Sequence, residues 1–276
     1  MNHLLRGHAP LSAGNWKLLD DEARERLQGA LAARRLVDFS GPHGWGHSAT
    51  NLGRTTPIAT APCEGVAAAQ RRILPLAELR AEFSVSLSEL RDDDRGAPDA
   101  DLESLDRAAR QIAVAENVAV FHGWEGAAIG GIAESSPVEP RPLGESGEDY
   151  PRSVARAVEA LREGGVGGPY GLALGPDEHR HAIETAEHGG YPLFEHLRQI
   201  LGGPFVWAPG VDGAVVVSLR GGDFRFDCGQ DIAIGYDGHD AATVSLYLVE
   251  TFTMRVVTPE AAVALTSELE VSPQGR

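Results

Sequence analysis

The densest run of side chains able to do chemistry lies between residues 177 and 196: Asp177, Glu178, His179, Arg180, His181, Glu184, Glu187, His188, Glu195 and His196. Imidazoles and carboxylates three or four apart share a helix face. His181 with Glu184, or Glu184 with His188, are therefore sterically able to grip a divalent metal. The pattern departs from that of a zinc protease, because HExxH is absent, no cysteine lies near and Arg180 interrupts the set. A solvated or structural role is the plainer reading; metal binding or acid–base catalysis is the competing one. Glycine motifs point away from phosphate chemistry. GGVGG at 164–168 follows a helix instead of joining a strand to one, and neither GxxxxGK[ST] nor GxSxG occurs. RGGDF at 220–224 sits between two strand candidates and reads as a hairpin turn. No motif singles out a nucleophile, so we expect neither catalytic residues nor a metal.

Composition narrows the partners. Lys+Arg 24 against Asp+Glu 40 gives 24 − 40 = −16, a balance that repels nucleic acid and anionic membranes and attracts cations. Cys63 and Cys228 stand far apart without CxxC spacing. They exclude a disulfide framework and a thiolate zinc site, and suit a reducing cytoplasm. The first residues, MNHLLRGHAPLSAGNWK, hold no sustained apolar run, and no stretch approaches the ~18 apolar residues of a membrane span. With 276 residues the chain can bury a core of its own in one or two domains.

The elements that must position these residues follow from periodicity. Trp16, Leu19, Ala23, Leu27, Ala30 and Leu31 predict an amphipathic helix over 12–35, with Ser12 as its cap. Residues 36–39 read as a short strand. Residues 40–75, rich in Gly, Pro, Ser and Thr, have weak periodicity and no core of their own, as expected of a lid or of an arm that packs on another subunit. Strand character resumes at 76–87, and an acidic helical turn follows at 89–95. The longest helix is predicted over 101–121, with Leu102, Leu105, Ala109, Ile112, Ala115/Glu116 and Ala119 on one face. Residues 126–149 are loop, broken by prolines. Helix 150–163, strand 170–174 and helices 176–187 and 192–201 form a compact α/β insertion. The chain then turns mainly β, with strands at 214–219, 223–236 and 244–257. Residues from 267 on read as a polar tail.

In order along the chain, HAPLSAGNW (8–16), ARRLVDFSGPHGW (33–45), PLAELRAEFSVSLSEL (75–90), FHGW (121–124), GPYGLAL (168–174), RGGDFRFDCGQDIAIGY (220–236) and LYLVETFTMRVVTPEAAVAL (246–265) resemble the family 1 encapsulin shell proteins. These were formerly described as linocin-type bacteriocins. The resemblance covers residues 1 to about 265. It implies an α+β tailed-bacteriophage major-capsid fold of the Hong Kong ninety-seven type. Residues 1–39 would be an N-terminal helix and first P-domain strand, and 40–75 the extended E-loop. The P-domain would occupy 76–149, with its spine helix at 101–121, and the A-domain 150–219. Return strands to the P-domain would fill 220–265, leaving 266–276 as tail.

The same resemblance implies a homo-oligomeric icosahedral cage of roughly sixty copies or a multiple, non-enzymatic, with no nucleic acid or membrane as partner. Its cargo enzyme would be a ferritin-like iron oxidase or a dye-decolourising peroxidase, held by a C-terminal targeting peptide. The positions matching the family's peptide groove are Leu27, Leu31, Arg34, Asp38, Ile232 and Ile234. Apolar anchors would bury against the aliphatic residues, while Arg34 and Asp38 fix polar groups and register. A plain core role for the four aliphatic residues is the alternative. Glu187, His188, Gly189, Gly190 and Tyr191 match the loop around the five-fold pore, where rings of Glu187 and His188 would favour cations. Some relatives stack a flavin on a tryptophan where this chain has Ser88, so no cofactor is expected. No lysine lies in 40–75, which removes the isopeptide crosslink of some phage capsids. Competing functions are a prophage capsid protein and a bacteriocin-like peptidase using the 177–196 cluster.

Overall fold

The first helix begins where Ser12 can cap it. The Ser12 hydroxyl accepts the Asn15 N–H at 3.0 Å, and the Asn15 side chain accepts the Ser12 N–H at 3.2 Å, a reciprocal capping box. Leu19, Ala23, Leu27 and Ala30 form the buried stripe of this helix, α1 (Ala13–Ala30). It stops five residues short of the predicted end at Arg35 because the buried Asn117 takes over the backbone there. Asn117 Oδ1 accepts from the N–H groups of Ala32 and Ala33 at 3.1 and 3.2 Å, and its Nδ2 donates to the Ala30 carbonyl at 2.8 Å. A 3-10 turn, Ala33–Arg35, follows. Ser12→Ala is expected to cost about 1 kcal/mol, seen as a thermal midpoint a few degrees lower. An unchanged midpoint would mean that Asn15 caps the helix alone.

The structure, a computed structural model, describes residues 3–144, 147–185 and 193–267. After α1 come β1 (Asp38–Ser40), β2 (Ala49–Ile58), β3 (Ala68–Pro75), β4 (Ala77–Ser86), α2 (Leu87–Asp94) and α3 (Glu103–Phe121). Next are α4 (Ile132–Ser135), β5 (Arg141–Pro142), α5 (Tyr150–Glu163), β6 (Tyr170–Leu174), α6 (Pro176–Glu184) and α7 (Leu193–Leu201). The chain closes with β7 (Phe205–Trp207), β8 (Ala214–Ser218), β9 (Phe224–Cys228), β10 (Ala233–His239), β11 (Thr243–Val256) and β12 (Ala262–Thr266).

Two sheets organise these elements. In the first, β11 is the axis. One of its edges carries β4 from Thr243↔Ser86 to Phe252↔Ala77; the other is shared, β10 pairing with its first half and β9 with its second, and β1 extends β9 in parallel. The second sheet runs β5-β12-β8-β6-β7. One core cluster lies under α1 and α3 against the first sheet, with Leu19, Leu105, Ile112 and Leu248 fully buried. The other fills the second sheet and its covering helices α5 and α7.

Three sequence expectations change. Residues 49–75 hold a two-stranded antiparallel ribbon, β2–β3, where the sequence shows no strand pattern. Ile58, Val66 and Ile73 are exposed along or beside it, so no buried face imposes the period-two signal by which a strand is read. The RGGDF segment is no hairpin, since β8 and β9 belong to different sheets. Instead, Gly222 N–H donates to the Asp38 carboxylate and Arg220 forks onto the buried Asp223 at 2.9 and 3.0 Å, which steers the chain from one sheet to the other. Gly221 and Gly222, at φ +88° and +86°, supply the backbone angles this needs. Lastly, the strand predicted over 223–236 is two strands. Thr251 of β11 folds the chain between them: its N–H donates to Gln230 C=O, its hydroxyl accepts the Gln230 N–H and its carbonyl accepts the Gly229 N–H.

Candidate functional site

Between α1 and the outer strand β10 runs a groove of about 380 Å³. Helical spacing puts Ala23, Leu27 and Leu31 on its α1 wall. Ile232, Ala233 and Ile234 form the opposite wall, and Leu248 of β11 the floor. Leu27 and Ile234 are 7% and 2% exposed and belong to the core beneath, whereas Leu31 and Ile232 are half-buried and present apolar surface at the mouth. Asp20, Arg24, Gln28, Arg34 and Asp231 make a polar rim. Past the groove, the Leu4 carbonyl accepts the Tyr236 N–H at 2.9 Å, so the N-terminal segment pairs with β10 there. An extended chain with apolar side chains is the shape and chemistry such a cleft accommodates.

Five of the six residues proposed from sequence line this groove; Asp38 does not. It lies on β1, accepts from Gly222 N–H and lines a separate cleft of about 210 Å³ with Leu36, Gly221 and Phe224. The β1–β9 pairing carries it there: β9 takes the second half of the β11 edge whose first half β10 occupies, and β1 lies outside β9. Arg34 faces the groove with its charge already committed. Its Nη1 meets Asp231 Oδ1 at 2.6 Å, and its Nη2 meets Glu116 Oε2 at 2.7 Å and Glu250 Oε2 at 2.8 Å. Burial opposes the guanidinium charge, but Glu116, Glu250 and Asp231 outweigh it and raise the Arg34 pKa. Phe39 and Phe226 lie 5.3 and 5.5 Å from the guanidinium carbon. Glu116 and Glu250, both 0% exposed, escaped the sequence reading as site residues.

Other candidates resolve differently. Burial, then Asp231, push the Cys228 thiol up to about 12, which leaves no thiolate for catalysis or ligation. In the ionisable cluster, Arg180 pairs with Asp177, Glu178 is buried and accepts from the Ser267 hydroxyl, and burial lowers the His179 pKa. Among the described residues no three His, Cys, Asp or Glu side chains are placed to hold a metal ion. His188 and the whole proposed pore loop, Glu187 to Tyr191, lie outside the described residues. Ser88 is an exposed hydroxyl on α2, hydrogen-bonded to the Ser86 hydroxyl at 2.7 Å. Among the described residues no helix is long and apolar enough to cross a membrane.

The family model described as "Encapsulating protein for peroxidase", Linocin_M18, matches residues 1–253. A type 1 encapsulin shell protein of Rhodospirillum rubrum is 46% identical over 270 residues, covering 96% of each chain. Another, from Mycobacterium tuberculosis, is 40% identical over 266 residues, covering 96% of this chain and all of the relative. Among solved structures, a virus-like particle from Pyrococcus furiosus superposes with a TM-score of 0.64 at 18% identity, covering 91% of this chain and 98% of that one. A Mycobacterium phage Bobi chain gives a TM-score of 0.54 at 15% identity, covering 86% of this chain and 90% of that one. At these identities the two structures speak for the fold alone, which is the tailed-phage major-capsid fold of the Hong Kong ninety-seven type.

Proposed function

The chain belongs to the encapsulin family of shell proteins, and on that premise we propose that it closes into a cage around cargo enzyme held in the α1–β10 groove. It is a structural protein, not an enzyme. The observation that carries the docking reading is the groove's division of labour. Leu31 and Ile232 offer half-buried apolar surface at the mouth, while Arg24 and Asp20 stand on the rim to orient a polar backbone. The fitting ligand is a short extended peptide with aliphatic anchors, such as the C-terminal tail of a cargo enzyme. Of the two cargo classes expected from sequence, the family's description as encapsulating a peroxidase supports the peroxidase. About sixty copies, or a multiple, would close the cage, and Ser88 argues for a shell without flavin.

Assembly is the first test. The β2–β3 ribbon and the loop joining its strands expose Ile58, Val66 and Ile73 without a core of their own, so this apolar surface needs a neighbouring subunit. Size-exclusion chromatography of the purified protein at micromolar concentration is expected to show particles and no single-subunit peak. A stable monomer would sink the shell reading.

A further inference from the structure

Two carboxyl groups meet out of reach of water in this fold. Glu116 of α3 and Glu250 of β11 each give Oε2 to Arg34, and each keeps Oε1 buried without a donor. The two carboxyl groups converge on one atom, Arg34 Nη2, at 2.7 and 2.8 Å. Ionised carboxylates only accept, so two buried carboxyl groups crowded on one donor, each with an oxygen that finds none, favour a bound proton.

The surroundings support the same count. The charged and titratable groups packed against the pair are Arg34 from the 3-10 turn, Asp231 from the turn before β10 and Cys228 from β9. The Cys228 thiol is neutral, and Asp231, nearly half exposed, keeps its own solvation while binding Arg34. One guanidinium therefore faces two buried carboxyl groups. With both ionised the buried set carries an uncompensated negative charge; with one proton it is neutral. Burial, followed by the nearby Glu116, pushes the Glu250 carboxyl well above the ordinary carboxylate range, against the pull of Arg34.

We propose that Glu116 and Glu250 share one proton at neutral pH, and that this proton is a pH-sensitive latch. It lets a single guanidinium tie α3, β11 and the turn before β10 to the segment just after α1, and so holds the α1 wall of the groove in place. The proposal stands on the ion cluster, whatever the groove holds.

The sign of the pH effect follows from linkage. An acid whose pKa is raised on folding binds more protons folded than unfolded. Its stabilising contribution is complete below the ordinary carboxylate range and is lost as pH rises towards the folded value. Glu250→Gln keeps a hydrogen-bond donor for Glu116 and removes the titration.

Infrared spectra of assembled shells at pH 7 should show a protonated-carboxyl band in the parent, absent from Glu250→Gln and lost from the parent at alkaline pH. Thermal midpoints of parent and variant should diverge in favour of the variant as pH rises from about 5 to the point where that band disappears. A parent without the band at pH 7, or a parent–variant difference independent of pH, would overturn the proposal. Should Glu250→Gln fail to assemble, Glu116→Gln takes its place, and the parent's own band decides the matter without either variant.

Discussion

Ile232→Glu shells are expected to assemble normally and to be purified empty. Ile232 is half-buried at the mouth of the groove, so its side chain can turn a charge toward solvent while the fold is intact. A bound peptide removes that escape, because an aliphatic anchor would seal the carboxylate against Leu31, next to Asp231. Burying an unpaired charge costs several kcal/mol, which weakens binding by at least ~100-fold. Ile234 is different, although sequence pairs the two as equivalent wall residues. At 2% exposure it packs into the core with Leu248, and a charge there is expected to remove folded protein altogether. Co-expression with a cargo enzyme carrying its own C-terminal tail, followed by purification of the shells, checks both outcomes. Cargo that co-purifies with Ile232→Glu shells at the parent level would move the docking site elsewhere.

That contrast shows how far the sequence reaches. Leu27, Leu31, Ile232 and Ile234 are legible as one apolar surface because helix and strand periodicity fixes their faces. Which of them reach solvent depends on how α1 lies against β10, and no local pattern carries that. Asp38 escapes the local pattern for a related reason: four residues beyond Arg34, it is on a strand that pairs with β9, which takes the second half of the β11 edge whose first half β10 occupies. The end of α1 is not legible locally because its terminator, Asn117, is some eighty residues away in sequence. The buried carboxylates did leave a signal. Glu116 sits on the predicted buried face of its helix, and Glu250 interrupts an otherwise apolar stretch of strand, LYLVETF. A charge inside an apolar pattern announces a buried partner. It does not say that the two would share one arginine.

Arg34→Met should be the most damaging single substitution in the cluster. Methionine fills much of the same volume but leaves Glu116 and Glu250, both at 0% exposure, without a cation. Breaking a buried ion set from one side costs about 3–5 kcal/mol, a large part of the ~5–15 kcal/mol that holds a typical domain together. For a chain of this size that corresponds to a thermal midpoint lower by roughly 5–10 °C. Arg34→Lys should not repair the loss. The guanidinium reaches Glu116 through Nε and Nη2, Glu250 through Nη2 and Asp231 through Nη1, a fork that one ammonium cannot reproduce. If uncompensated charge is the cause, removing it should restore stability. The triple variant Arg34→Met, Glu116→Gln, Glu250→Gln is expected to regain most of the parent's midpoint, since a neutral hydrogen-bonded pair replaces a buried carboxyl pair whose negative charge no cation balances. Lowering the pH should help Arg34→Met for the same reason, as the carboxyl groups take up protons. A midpoint for Arg34→Met within a degree or two of the parent would show that the carboxyl pair satisfies itself, and that Arg34 is there for the groove and not for the fold.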